Sequence, residues 1–296
     1  MELFLTVCVT ALSLGLLYAL FGLGMGVVLR ASGHLNLAHG DSLMLATYVA
    51  LGTLHLSANR PLGILAAVVV GAAIGTFAHL LIYAPVAGRS RTVAAGLSFL
   101  PSLGVALIVR NLAVRVDPKG SQPFPAMVPG RPVRLFFDYR LPPAGWWLLA
   151  VAVLVPVAMV GWLRRGRSGR RVRAVADDPV LARATGLPVN RTLALSYAVA
   201  GAVGGLAGVL FSSFFGLVFV AMGWQATLKG FVAALLGGVG WVRGALIGGL
   251  VLGAVESATG AYVSSSLKDV ATFALLIAAL LLLPRGLTAR AVTRTV

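Results

Sequence analysis

Several stretches of this chain run for roughly 20 residues with almost no charged side chain, the length a helix needs to cross a bilayer. With a mean hydropathy of +0.95 and 59% hydrophobic residues in 296, there is more apolar surface than a soluble core can cover. The runs fall near 3–29, 37–56, 61–84, 92–113, 145–163, 193–214, 220–240, 242–262 and 268–284. The predicted class is therefore all-α: a polytopic membrane protein of about 8 to 9 transmembrane helices. The first run has no basic segment before it and no small-residue cleavage site after it, so it is expected to be a retained span. The single cysteine, Cys8, lies in that run and gives neither an intramolecular disulfide nor a thiolate metal site.

The formal charge of +16 would suit a nucleic-acid partner if it lay along one amphipathic face. It lies between the spans instead, which fits the positive-inside rule and leaves nucleic acid without support. Eight arginines fall within 164–192, and Arg285, Arg290 and Arg294 follow the last span. With nine spans, both groups share a side if the C-terminus is cytoplasmic and the N-terminus outside. Arg30, Arg89, Arg91 and Arg243 then face inward too. The 114–144 loop lies outside, with Arg115, Lys119, Arg131, Arg134 and Arg140 against Asp117 and Asp138. It is either a solvated loop or a surface for an acidic partner.

A repeat is expected between the halves. YALFG (18–22) matches YAVAG (197–201), AHGDSLMLATYVA (38–50) matches AMGWQATLKGFVA (221–233), and PLG (61–63) matches VRG (242–244), at offsets of 179, 183 and 181. Spans 2 and 7 run in opposite directions, so the copies are inverted, the arrangement that places a pathway between them and interrupts helices beside it. The chain then reads as one permease domain over 1–296, with repeat 1 about 1–113, an outer loop 114–144, a linker span and cytoplasmic segment 145–192, and repeat 2 about 193–284.

The segment RRGRSGRRVRAVADDPVLARATG (164–186) carries its own local signals. Asp178 suits an N-cap, Pro179 the first helical position, and Gly186 with Pro188 the stop, so a helix of about two turns is predicted outside the membrane. Val180, Leu181, Ala184 and Leu187 give it an apolar side. A helix this short needs something to pack against, although a plain positive-inside loop explains the arginines alone.

Here a resemblance enters. RAVADDP followed by ARATG resembles the cytoplasmic coupling segment of ABC-transporter permeases of the branched-chain amino acid family. LNLAHG (35–40) is similar to the N-F-A-H-G motif of the family's H-type subunit, KGFVAALLGGVGWVRGALIGGLVLGAVE (229–256) to its late glycine-rich motif, and LLLLPRGL to its tail. The resemblance implies a membrane subunit without ATPase activity, paired with a second related permease subunit, two cytoplasmic ATPase subunits and an external substrate-binding protein. ATP and Mg would be bound by the ATPases, and no cofactor or metal is expected in this chain. No Walker A pattern occurs in it. It also implies that Arg173, Asp177, Asp178, Ala182 and Gly186 couple to an ATPase, with apolar contact from Val180 and Leu181 and a carboxylate partner for Arg173. Arg164 to Arg171 would hold topology and touch anionic membrane lipid.

Candidate pathway residues lie in two places. Asn36, His39 and Asp41 stand beside Gly33 and Gly40, which predicts a non-helical stretch leading into a half-helix near Asp41 or Ser42 that carries Thr47 and Tyr48. Backbone N–H groups at such a start attract a carboxylate, although Asp41 opposes this. His39 is either an interfacial histidine bonded to a carbonyl or a substrate contact. Glu256, inside span 8, costs about 2.5–3.5 kcal/mol to insert and so needs a partner: a substrate ammonium, a backbone group, Ser257 or Tyr262. The glycines from Gly237 to Gly253 are explained by close helix approach. Two departures from the family pattern bear on substrate. Arg110 and Asn111 stand where the family has a Gln-Asn pair, so Arg110 either guides an anion or snorkels to the surface; Trp241 and Arg243 replace smaller residues. The implied cargo is a branched-chain or similar hydrophobic amino acid, with urea or a short amide as the nearest alternative. A proton-coupled secondary transporter using His39 or Glu256 is the competing class. No nucleophile and acid stand at a catalytic spacing, so no enzyme is expected.

Overall fold

The computed structural model describes residues 2–86, 91–128, 130, 132–134, 140–141, 143–238, 242–282 and 286–287. Arg89, Arg131, Asp138, Gly240, Trp241, Arg285, Arg290 and Arg294 lie outside the described residues.

The chain is built almost entirely of helix because, away from water, each backbone N–H must find its carbonyl within the same segment. In order these are α1 (Glu2–Ser32), α2 (His39–Ser57) and α3 (Arg60–Ala78), which continues through a π turn at His79–Tyr83 and a 3-10 turn at Ala84–Val86. Then follow α4 (Arg91–Val116), β1 (Ser121–Pro123), β2 (Val133–Arg134), β3 (Arg140–Leu141), α5 (Pro143–Arg165), α6 (Arg167–Asp177) and α7 (Pro179–Ala184). The last part holds α8 (Val189–Phe215), β4 (Leu217–Phe219), α9 (Met222–Leu236), α10 (Val242–Tyr262) and α11 (Lys268–Leu282). Among the described residues, seven helical segments are long and apolar enough to cross a membrane. Two of the nine expected spans, α2 and α9, fall outside that set. α2 starts with His39 and Asp41 among its first residues, and α9, at 15 residues, is about 22 Å long, short of the roughly 30 Å hydrocarbon layer.

Small residues set the helix pairs. α1 lies on α10 where Gly249 meets Ala19 and Gly253 meets Gly15; α3 lies on α8 where Gly71 meets Gly201, Gly75 meets Tyr197 and Gly205 meets Ala67. In each case an added Cβ would run into the facing backbone, so these glycines allow an approach that any larger residue would prevent. α2 packs against α3, α8 and α9, while α9 packs against α1, α2 and α10. By contrast α4 touches chiefly α2 and the π turn, and Leu100, Ile108 and Leu112 on it are exposed.

The two ends of the bundle differ. At one end Arg30, in the last turn of α1, donates to Asp177 at 2.8 Å, which fixes α1 beside the α6–α7 segment. At the other end α8 stops at Gly216, whose φ of +75° favours glycine, and β4 pairs antiparallel with β1 from the loop after α4. That loop is not simply solvated. Phe124 and Met127 are buried, the Met127 N–H donates to Ser213 Oγ at 3.0 Å, and Asp117 accepts from the Tyr48 hydroxyl at 3.0 Å.

Candidate functional site

Three groups of residues carry chemistry. The first surrounds the start of α2. Residues 33–38 are non-helical and α2 begins at His39, two or three residues earlier than the sequence suggests. Its first N–H groups are not open to an anion: Ala38 N–H donates to Asn36 Oδ1 at 3.1 Å, and Gly40 N–H donates to Thr227 Oγ1 at 3.0 Å. An added Cβ at Gly40 would run into the carbonyl oxygen of Gly223, so the starts of α2 and α9 meet backbone to backbone. Asp41, whose side chain is 0% exposed, pairs with Arg110 at 3.3 Å, and the guanidinium lies 5.3 Å from the Trp224 ring centroid. Arg110 therefore neither stands free to guide an anion nor snorkels away; it neutralises the carboxylate at the head of α2. Its neighbour Asn111 donates to the Leu107 carbonyl of its own helix at 2.8 Å. His39 is buried, with Nε2 unbonded among the described residues and wedged against Gly24 and Gly204, where glycine leaves room for the ring. Thr47 turns its hydroxyl onto the Leu43 carbonyl of its own helix, facing Gly208, and Tyr48 is taken by Asp117.

The second group lies apart, around Glu256 on α10. Glu256 bonds neither Ser257 nor Tyr262; its Oε1 accepts from Lys229 Nζ at 2.6 Å, with side chains 12% and 5% exposed for lysine and glutamate. Ser257 Oγ has no partner among the described residues. Lys229 also reaches the Tyr18 hydroxyl at 3.2 Å, lies over that ring at 5.1 Å and approaches Asp269 at 3.9 Å. No local sequence signal pairs Lys229 or Tyr18 with Glu256. Each charge is nonetheless conspicuous, because Lys229 is the one lysine in its apolar run as Glu256 is the one carboxylate in the next. Beside this pair opens a cavity of about 340 Å³ whose walls include Leu14, Phe21, Phe211, Phe215 and Phe219.

The third group is the segment after α5. Asp178 Oδ1 accepts from the N–H groups of Val180 and Leu181 at 2.8 and 2.9 Å, Pro179 occupies the first turn, and Gly186 at φ +80° ends the motif. Ahead of it, 167–177 is helix α6 and not a loop. Gly169, Val172, Val175 and Ala176 form its buried stripe and arginines its outer face, a spacing that satisfies i, i+3 and i+4. Ala182 is buried against Val175 and Val189. Val180 and Leu181 point away, 77% and 62% exposed. Asp177 is engaged with Arg30, and Arg173 is half-buried with its Nε unbonded among the described residues.

These groups have a family context. Residues 7–280 match the family described as "Branched-chain amino acid transport system / permease component". The chain belongs to that family. This permease is 32% identical over 301 residues to the high-affinity branched-chain amino acid transport system permease protein LivH of Escherichia coli, covering 97% of this chain and 96% of that one. It is 29% identical to the corresponding protein BraD of Pseudomonas aeruginosa, over 95% and 94% of the two chains. A more distant similarity, 26% identity over 79% and 72%, is to the ribose import permease protein RbsC of Escherichia coli. Family membership thus fixes a polytopic permease and leaves its substrate to the residues.

Proposed function

We propose that this permease is one membrane subunit of an ATP-driven importer that carries branched-chain or similar hydrophobic amino acids into the cell. It would sit in the bacterial cytoplasmic membrane with the N-terminus outside and the C-terminus inside. ATP and Mg belong to two cytoplasmic ATPase subunits; a second permease subunit completes the membrane core, and an external binding protein delivers the substrate. The observation that carries this is α7. Two large apolar side chains, Val180 and Leu181, stand exposed on a helix whose start is fixed by Asp178 and whose inner side is held by Ala182. A preformed apolar helix on an arginine-rich end of a membrane protein suits insertion into a groove of a partner.

The arginines favour a cytoplasmic location for that end, and the Arg30–Asp177 pair brings the C-terminal end of α1 to it, which supports an external N-terminus. The inverted repeat is supported by the packing: α1 on α10 is matched by α3 on α8, and α1 with α9 by α8 with α2, pairings unchanged when the halves are exchanged. A proton-coupled carrier acting alone would leave α7 without a task, and Glu256 already has a fixed cation beside it.

The test is capture of partners by a tagged, mildly solubilised full chain from its native membrane. ATPase subunits and a second permease are expected in the wild type. Val180→Asp with Leu181→Asp should lose the ATPases while keeping the second permease and thermal stability, since both side chains are exposed. Ala182 is unsuitable for this purpose because it is buried. Recovery of the chain alone, with uptake in liposomes that needs no ATP, would overturn the proposal.

A further inference from the structure

We propose that the cavity beside Lys229 and Glu256 is a binding site for a zwitterionic apolar α-amino acid. Lys229 takes the carboxylate, Glu256 the ammonium, and the phenylalanine wall the side chain. This rests on the reading of the chain as an amino-acid permease and assigns that reading a site.

The cavity has the size and make-up of a small-ligand site. Its volume of about 340 Å³ lies at the lower end of the roughly 300–1,000 Å³ such sites span, and it is mostly apolar with a few convergent polar groups. Phe211 is the centre of the wall, with ring centroids 4.6 Å from Phe215, 6.1 Å from Phe21 and 6.2 Å from Phe219. A branched aliphatic side chain is well matched by such a surface; a sugar, which needs many hydrogen bonds, is not.

The polar end is unsatisfied in a way that points to a ligand. Glu256 is buried, yet its Oε2 has no hydrogen-bond partner among the described residues, and a buried carboxylate oxygen left so is costly. Glu256 lines the cavity, and although Oε2 is enclosed as the side chain stands, a turn of the carboxylate presents that oxygen to an ammonium. Lys229 has three N–H donors; Tyr18 and Glu256 take two, and Asp269, at 3.9 Å, is too far to be a hydrogen bond. The third is open to a carboxylate. Charge balance agrees. Lys229, Lys268 and Glu256 line the cavity and Asp269 stands next to it, two cations against two carboxylates. A net-neutral zwitterion preserves that balance, whereas a fatty acid or an amine would bring an uncompensated charge into a buried site.

The location fits delivery from outside. Phe211 and Phe215 belong to the last turns of α8, whose first turn lies beside α7. The cavity is therefore at the end of the bundle opposite to the coupling helix.

The test is equilibrium dialysis of the purified full chain with radiolabelled L-leucine. Saturable binding is expected, with competition by L-isoleucine and L-valine. Glycine, 4-methylpentanoate and 3-methylbutylamine, which lack the side chain, the ammonium and the carboxylate respectively, should each compete roughly tenfold or more weakly, since a site built to pair a polar group rejects analogues without it. Single charge removals at the pair threaten the fold, so the decisive variants are Lys229→Met with Glu256→Leu, which leaves no unpaired charge, and Phe215→Ala, at a partly exposed wall position. The first should abolish binding and the second weaken it several-fold, both with melting temperatures close to that of the wild type. Leucine that does not saturate, analogues that compete equally, or unchanged binding in the double variant would each overturn the site. Partner capture on the same preparations separates the two proposals. ATPases captured without leucine binding reject the cavity and keep the importer, and leucine binding without ATPases rejects the importer and keeps the cavity.

Discussion

The bundle holds a carboxylate and a cation in close contact at both ends, and the two pairs are nearly the same length: 2.6 Å for Lys229–Glu256 and 2.8 Å for Arg30–Asp177. They differ in surroundings. Side-chain exposures are 12% and 5% for the first pair, 35% and 67% for the second. Distance alone therefore says little about what either contributes. In the buried pair each charge depends on the other, because removing Glu256 leaves Lys229 little water, the neutral Tyr18 hydroxyl at 3.2 Å and a carboxylate no nearer than Asp269 at 3.9 Å. In the exposed pair water replaces whichever partner is lost. The buried pair belongs beside a cavity where desolvated charge can recognise a ligand; the exposed pair belongs where α1 meets the coupling segment and contacts can be exchanged.

The largest effect should come from Glu256→Leu. It takes away the close counter-charge of Lys229, leaving Asp269 at 3.9 Å, and is expected to destabilise the chain by up to about 3–5 kcal/mol, with Lys229→Met in the same chain restoring most of the loss. Thermal unfolding of the single and double variants in one detergent measures both steps; a double variant no better than the single would mean that the lysine and glutamate act separately. Arg110→Gln is intermediate. It deprives the fully buried Asp41 of its cation, whereas Asp41→Asn leaves Arg110, 26% exposed, free to turn to water. The expected loss is about 1–3 kcal/mol for Arg110→Gln and less for Asp41→Asn. Equal losses would show that the pair is not governed by the burial of the aspartate.

How much of this was legible depended on the range of the interaction. The helical membrane class follows from run length, and the cap at Asp178 with Pro179 and Gly186 follows from adjacent residues; both could be read directly. The head of α2 was legible in outline, because Gly33, Asn36 and Gly40 announce a break. The partner of Asp41 was not, since Arg110 lies 69 positions away on a helix whose placement no local signal gives. Likewise Glu256 demanded a partner, and its neighbours Ser257 and Tyr262 were the near choices; the true one, Lys229, sits 27 positions back on another helix. The aromatic wall draws on α1, α8 and β4, so no window of sequence contains it. α6 was hidden for a different reason: six arginines in 164–173 read as a solvated loop, and the sparse stripe of Gly169, Val172, Val175 and Ala176 is what makes the segment helical.

The smallest effect belongs to Asp177→Asn. Exposed pairs of this kind contribute on the order of 0.2–1 kcal/mol, so unfolding should shift by no more than that at low salt. At about 1 M salt, where the Debye length is roughly 3 Å, wild type and variant should unfold together. The same salt series applied to Glu256→Leu should leave its deficit nearly intact, because ions do not reach a pair that is almost fully enclosed. If the Asp177 variant instead loses several kcal/mol that salt does not remove, then Arg30 and Asp177 are shielded in the folded protein by more than the chain itself supplies. The coupling end would then have to be treated as buried, like the cavity end.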